Sequence, residues 1–347
     1  MNQLTRMVCL TSPAPEGRGM QPTTRGELLE FIGVTILPTL YEFGSRAELR
    51  STKPRNPYLI APAFGERTGL SRCRFDALWS SMAFSVQHSS GRDDSEQSRW
   101  ELFSDFVNSI NAHRDAHVSP SEYICVEESM CKWYGQSGPW IKRGLPMYVA
   151  IDRKPEKNCE IQNAAYERIG IMLRLSVVTS AEHQRAVGTN EDGSVPHGAA
   201  VLKLLVARWA GTHRVVCADF YFASVTAATE LIAMGMRFIG VVKTATGGYP
   251  MSTLSTLEVD TRGDHATFIH STPEGTVKLI AMTWVYRERR YSVSSMSTLL
   301  PGNPYDWVCW RQMGEDAERV APNVNLPHVT QAYDECCAQI DRHNRCP

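Results

Sequence analysis

The amino-acid sequence predicts an α/β fold: a mixed sheet with helices on its faces, preceded by an all-helical region and interrupted by a β-rich insertion. Three observations predict it. Between Pro120 and Thr244, short β-prone runs alternate with segments of helical periodicity. Before Pro120, apolar residues recur at spacings of three and four behind capping residues. From 245 to 324, glycines and prolines punctuate β-type runs, which is the pattern of hairpins rather than of strand–helix–strand units.

Residues 1–23 are rich in Pro, Gly, Ser and Thr without periodicity and read as a flexible tail. Thr24 and Glu27 form a capping box ahead of Leu28, Leu29, Ile32, Ile36 and Leu37. A second helix follows Ser71, with Phe75, Leu78, Trp79 and Met82 on one stripe. Ser98 and Glu101 make another box before Phe103, Phe106, Val107 and Ile110, and residues 88–98 read as a charged loop. Residues 24–118 are therefore a helical unit.

The core begins at 119. Tyr123–Val126 is a short strand, followed by strands at Pro146–Ile151 and Ile171–Val178. Leu202, Leu205, Val206 and Trp209 mark a helix, Val215–Ala218 a strand, Ser224–Met234 a helix stopped by Gly235, and Phe238–Val242 a strand. This first part of the core ends at 244. The insertion, 245–324, carries β runs at Thr267–His270, Val277–Tyr286 and Tyr291–Ser295. In 325–347 a final helix follows Pro327, with Val329, Tyr333, Cys336 and Ile340 on one face.

Composition excludes several classes. The 347 residues hold 36 Lys and Arg against 37 Asp and Glu, a formal charge of −1, which excludes a polybasic nucleic-acid coat and an acidic tail but not a local basic groove. No run of apolar residues approaches the length of a membrane span. The N-terminal stretch has no continuous apolar core of the secretory kind, so a reducing compartment is the expectation. The 10 cysteines include no CxxC pair. Cys336, Cys337, His343 and Cys346 come nearest to a metal cluster, but adjacent cysteines on a helix point about 100° apart, so no zinc site is expected. His343 reads as an ordinary helix residue.

Chemistry gathers at the ends of elements. Glu127 and Glu128 follow the first strand, Asp219 follows Val215–Ala218, and Asp341 lies late in the last helix. Functional groups of open α/β sheets collect at the carboxyl ends of parallel strands. Should the strands of Glu127 and Asp219 be neighbours, the two acids stand side by side and the last helix can bring Asp341 over the same edge. Three carboxylates converging within about 10 Å suit a pair of Mg²⁺ ions, which take oxygen ligands and promote phosphodiester cleavage. Spacing alone favours three ordinary strand-end or helix-surface carboxylates.

The surrounding residues carry a resemblance. Val126-Glu127-Glu128-Ser129-Met130, with Lys132-Trp133-Tyr134-Gly135, resembles the first-acid motif of PiggyBac-type transposases, Val/Ile-Asp-Glu-Ser/Gln-Met. Gly144-Leu145-Pro146, Arg153-Lys154-Pro155 and Glu160 are similar to the run that follows it there. Ala218-Asp219-Phe220-Tyr221-Phe222-Ala223-Ser224 resembles the second motif, Phe238–Thr244 the strand after it, and Ala338–Asn344 the third-acid segment of a divergent branch. The resemblance implies an RNase H-like core, a helical dimerisation and DNA-binding region before it, and a cut-and-paste reaction on DNA. It also implies transposon ends as the DNA partner, a homodimer, two Mg²⁺ ions held by Glu127, Asp219 and Asp341, and a nuclear location. In this chain Glu127 stands where the family has aspartate. The sequence ends shortly after Asp341 and lacks the family's terminal cysteine-rich zinc domain.

Two functional readings follow: a degenerate or domesticated transposase copy with DNA-binding potential and impaired catalysis, or an active Mg²⁺-dependent transposase. Trp133, Tyr134 and Trp140 read as base-stacking rings or as loop packing. Lys243, Arg287, Arg289 and Arg290 read as phosphate contacts or as a solvated face.

Overall fold

Val215-Val216-Cys217-Ala218 is short, apolar on both sides and flanked by helical segments, which is what a strand covered on both faces requires. In the computed structural model it lies inside the sheet, with every one of its residues buried. The structure describes residues 22–36, 48–54, 61–81, 96–132, 148–150, 158–167, 170–178, 195–243, 247–271, 278–285, 288–295, 304–305, 324–325 and 328–343. The chain forms two units, Met1–Asn108 with Arg345–Pro347, and Ser109–Asn344.

The first unit is helical among its described residues. Helix α1 (Arg25–Ile36) starts as its capping box predicts: the Glu27 N–H donates to Thr24 Oγ1 at 3.2 Å. Its buried residues are Leu28, Phe31 and Val34, whereas Leu29 and Ile36 are exposed. After the short α2 (Phe64–Thr68), Ser71 caps α3 (Arg72–Ser81), whose Phe75 and Leu78 are buried. The Phe31 and Phe75 rings meet at 5.1 Å. Arg74 joins the two helices by donating to both carboxylate oxygens of Glu27, at 2.6 and 2.7 Å. That pairing holds the Glu27 carboxyl below its ordinary range. Helix α4 (Glu96–His117) starts in the first unit and continues past Asn108 into the second, and it begins before Ser98, so Ser98 sits inside the helix instead of at its start.

The second unit is built on one nine-stranded sheet. Its strands are β1 (Tyr123–Lys132), β2 (Tyr148–Ala150), β3 (Asn158–Glu167), β4 (Met172–Val177), β5 (Val215–Ala218), β6 (Arg237–Val242), β7 (His265–Ser271), β8 (Lys278–Val285) and β9 (Arg289–Ser295). The order is β2-β3-β1-β5-β6-β9-β8-β7, with β4 also on β3. Strands β1, β5 and β6 are parallel and the other pairs antiparallel. A two-residue ladder joins β10 (Pro304–Tyr305) to β11 (Val324–Asn325).

Three differences from the sequence reading have physical causes. Strand β1 continues past Val126 through Glu127 and Glu128 to Lys132, because β3 pairs with it along that whole length. Strand β3 itself, polar at its start and interrupted by Asn163, carries no β signature and exists through its pairing with β1, β2 and β4. The segment 245–324 supplies β7, β8 and β9 where its composition predicts β runs, yet β9 pairs with β6, so these three extend the core sheet instead of standing apart from it.

Helices cover both faces. Helix α5 (His197–Val206) and helix α6 (Val225–Ala233) lie over Ile124, Val126, Val216, Ala218 and Phe238. Helix α7 (Met251–Ser255) contacts β8. Helix α8 (His328–His343) crosses the opposite face, where Val329, Ala332 and Cys336 pack on Cys125, Val215, Cys217 and Ile239. Among the described residues no helix is long and apolar enough to cross a membrane.

Candidate active site

The site begins where two parallel strands part. Strand β1 pairs with β5 as far as Val126 opposite Ala218, and there the ladder ends. Glu127 and Asp219 are the next residue on each chain, so they stand at the same level at the carboxyl edge. Side chains alternate across a strand. Glu127 therefore leaves β1 on the side of Cys125, the side covered by α8, and Glu128 on the side of Val126. The strands of Glu127 and Asp219 are neighbours, which is the condition the sequence reading set for the two acids. Glu127 lies within a strand, however, not after one.

The segment after β5 is tied down residue by residue. Asp219 Oδ1 accepts the Tyr221 N–H at 2.9 Å, and its carbonyl accepts the N–H groups of Phe222 and Ala223. This turn fixes the carboxylate before any ligand arrives. Phe222 and Ala223 are buried, and Ser224 Oγ caps α6 by accepting the Ala227 N–H at 3.0 Å. The turn is hemmed in on both sides. A Cβ on Gly198, at the start of α5, would come within 2.7 Å of the Tyr221 carbonyl oxygen. One on Gly240, in β6, would come within 2.6 Å of the Ala223 Cβ.

Two tyrosines adjoin the carboxylates. Tyr333 of α8 is largely buried, and its hydroxyl is held well above the ordinary tyrosine range by that burial, then by Cys337, Glu127 and Asp219. It stays a hydrogen-bond donor near both acids. Tyr221 is raised by burial, then by Glu128 and Asp219. Next to Tyr333, Asp334 is pushed up to about 6 by burial, against the opposing pull of Arg290. Neither Tyr333 nor Asp334 was expected at this edge, since nothing in a helix's sequence says which strand it will cross.

Of the basic candidates, Lys243 sits just past β6 with its ammonium 3.7 Å over the Phe220 ring, at the same carboxyl edge as Asp219. Arg289 is committed to the fold, since it donates to the carbonyls of Ser255, Leu257 and Val259 and pairs with Asp260. Arg290 pairs with Glu288 at 3.9 Å. Arg287, Trp133, Tyr134 and Trp140 lie outside the described residues. Asp341 belongs to α8, two helical turns beyond Tyr333, and its side chain lies outside the described ones, as does that of His343. Among the described residues, no group of three or more His, Cys, Asp or Glu is placed to hold a metal ion.

Comparison with known proteins adds a family and a fold. The sequence model of the family described as Transposase IS4 matches residues 2–346. No curated protein matches the chain. Among solved structures, a cryo-EM structure of piggyBac transposase in a synaptic complex with hairpin DNA superposes with a TM-score of 0.64 at 15% identity. The match covers 98% of this chain and 63% of that one, so the chain spans less than two thirds of the length of that transposase. Agreement at this identity is agreement of fold: an RNase H-like mixed sheet flanked by helices.

Proposed function

The chain belongs to the Transposase IS4 family and has the fold of piggyBac transposase, and from that premise we propose that it is a transposase-derived, DNA-binding protein, degenerate or domesticated, with impaired catalysis. The observation that carries this reading is the pair Glu127 and Asp219, one residue past the last β1–β5 bond, with glutamate in the position where the resemblance calls for aspartate.

Divalent metal is the usual cofactor of this family, and the donor set fits a hard cation: carboxylate oxygens from Glu127 and Asp219, with Asp341 as the proposed third. A bound Mg²⁺ supplies charge stabilisation for the attacking and leaving oxygens of phosphoryl transfer. The chain supplies the rest. Asp219 is held in place by the Tyr221 N–H. Tyr333, still protonated, lies near both carboxylates and hydrogen-bonds with Cys337. Lys243, exposed at the same edge, offers a cation to a phosphate. Glu127 reaches further from its strand than aspartate would, and this is the proposed source of impairment.

DNA is the proposed partner, because the solved transposase of this fold was captured with hairpin DNA. Transposon ends, a homodimer and a nuclear location complete the proposal. With a formal charge of −1, binding should be weak, led by phosphate contacts and poorly selective. One observation favours the second reading, an active Mg²⁺-dependent transposase: Asp219 keeps both its motif and its supporting hydrogen bonds.

Purified full chain, assayed on duplex DNA over a salt series and on supercoiled plasmid with Mg²⁺ or Mn²⁺, tests both. Expected are binding that falls steeply with salt and no Mg²⁺-dependent nicking beyond that of Asp219→Ala. Robust nicking that Asp219→Ala abolishes would establish the active reading instead, and absence of binding at low salt would remove the DNA partner. A fluorescent fusion that stays outside the nucleus would remove the proposed location.

A further inference from the structure

Beneath the carboxylates lies a patch of thiols. Cys125 of β1 and Cys217 of β5 are paired across the ladder and face α8, which contributes Cys336 and Cys337. Cys125, Cys217 and Cys336 are buried, and Cys337 packs against their cluster half-exposed. Cys125 hydrogen-bonds with both Cys336 and Cys337, and none of these four is in a disulfide. Core cysteines commonly act as small apolar residues. Here, though, three secondary-structure elements bring four together, and one of the four meets solvent.

We propose that Cys125 and Cys337 form a peroxide-sensitive thiol pair whose oxidation cross-links β1 to the last helix, two residues before Glu127. Cys337 reacts first because it is the half-exposed member of a set whose other three thiols are buried. Its sulfur attacks the O–O bond of hydrogen peroxide, takes one oxygen as a sulfenic acid and releases hydroxide. The Cys125 sulfur then attacks the Cys337 sulfur, the second hydroxide leaves, and the two thiol protons convert both hydroxides to water. Two thiols and one peroxide become one disulfide and two waters. Cys125 takes the second step only: it is buried away from peroxide, yet it packs in the same cluster as Cys337. Adjacent cysteines on a helix diverge by about 100°, which disfavours a Cys336–Cys337 bond. Cys217 and Cys336 have no route to solvent. Cys337 also hydrogen-bonds Tyr333, so oxidation removes the partner of the residue lying between the thiols and the carboxylates.

Folded full chain treated with millimolar hydrogen peroxide, blocked with N-ethylmaleimide and digested without reduction tests the pair by peptide mass spectrometry. The expected product joins the Cys125 peptide to the peptide that holds Cys336 and Cys337. It is retained in Cys336→Ser and lost in Cys337→Ser. The wild-type map alone decides whether Cys125 is joined to that peptide, even should a variant fail to fold. Oxidation of Cys337 to sulfinic or sulfonic acid with Cys125 unlinked would overturn the proposal. So would a Cys125 link that survives in Cys337→Ser. No DNA cleavage enters the readout, so the outcome is independent of the function proposed above.

Discussion

Shortening Glu127 to aspartate is expected to raise Mg²⁺-dependent nicking, while Asp219→Ala abolishes whatever nicking exists. Val126 and Ala218 are in register, so the two acids that follow start from backbone positions at the same level. Asp219 is fixed by its turn, and glutamate opposite it adds one methylene, about 1.5 Å of reach and one more rotatable bond. Mg²⁺ requires near-octahedral oxygens at about 2.1 Å and tolerates displacement poorly. A misplacement of about 1 Å can cost about a hundredfold in rate, so a gain approaching about a hundredfold is the expected size. Folding should hardly notice. Glu127 is half-buried, and losing part of one buried methylene costs less than about 0.8 kcal/mol. Supercoiled plasmid, wild type, Glu127→Asp and the Glu127→Asp/Asp219→Ala double variant decide it in one gel. Strong wild-type nicking that falls on Glu127→Asp would refute the reasoning, because the site would then be built for glutamate. Equal silence from wild type and Glu127→Asp would refute the view that side-chain length is the defect.

Other expectations concern the frame around the site. Asp334 has its carboxyl raised to about 6, so the native state holds a proton that the unfolded chain releases above pH 4, and stability from this group is lost as pH rises through 6. Asp334→Asn should flatten Tm between pH 4 and 7 and stabilise the protein at pH 7 by about 1–2 kcal/mol, a figure discounted for the partial exposure of the residue. An unchanged Tm–pH profile would show that Asp334 is solvated. Gly198→Ala should cost about 1–3 kcal/mol by forcing α5 off the Tyr221 carbonyl, and a Tm equal to wild type would mean that the helix shifts freely. Arg74→Met should cost the helical unit about 1–3 kcal/mol in urea melts, since it breaks two charge-assisted bonds to Glu27. Because the Glu27 carboxyl is lowered in the fold, that contribution should be lost as pH falls through and below the ordinary glutamate range.

Where a signal is local, the sequence carried it to the right place. Thr24 and Ser71 cap their helices through their own hydroxyls, and Ser224 does the same for α6, because a cap is a bond between residues three apart. Strands β5 and β6 declare themselves by continuous apolar runs, since both of their faces are covered. The segment Ala218–Ser224 is legible for a similar reason: strand end, acid, turn and cap follow one another along the chain. Local pattern misplaced other features. Ser98 has the spacing of a cap but lies inside α4, and Leu29 and Ile36 have the spacing of a core stripe but face solvent, because the body a helix packs against selects its buried face.

By itself, then, the sequence determined the helices before Pro120, the central parallel strands, the acids at their ends and the motif order of the family. Tertiary structure alone decided which of these meet. Strand β3 exists through pairing with β1 and β4, and that pairing carries β1 through Glu127 instead of ending it there. The register of Val126 with Ala218 sets Glu127 beside Asp219, and the crossing of α8 brings Tyr333 to both and Cys336 and Cys337 onto Cys125. Tertiary packing likewise turns Arg289 from a candidate phosphate contact or solvated face into a clamp on three carbonyls. Hydrogen bonds within one turn are encoded by neighbours in sequence, whereas ladder register and the path of a helix across a sheet are set by burial over the whole unit.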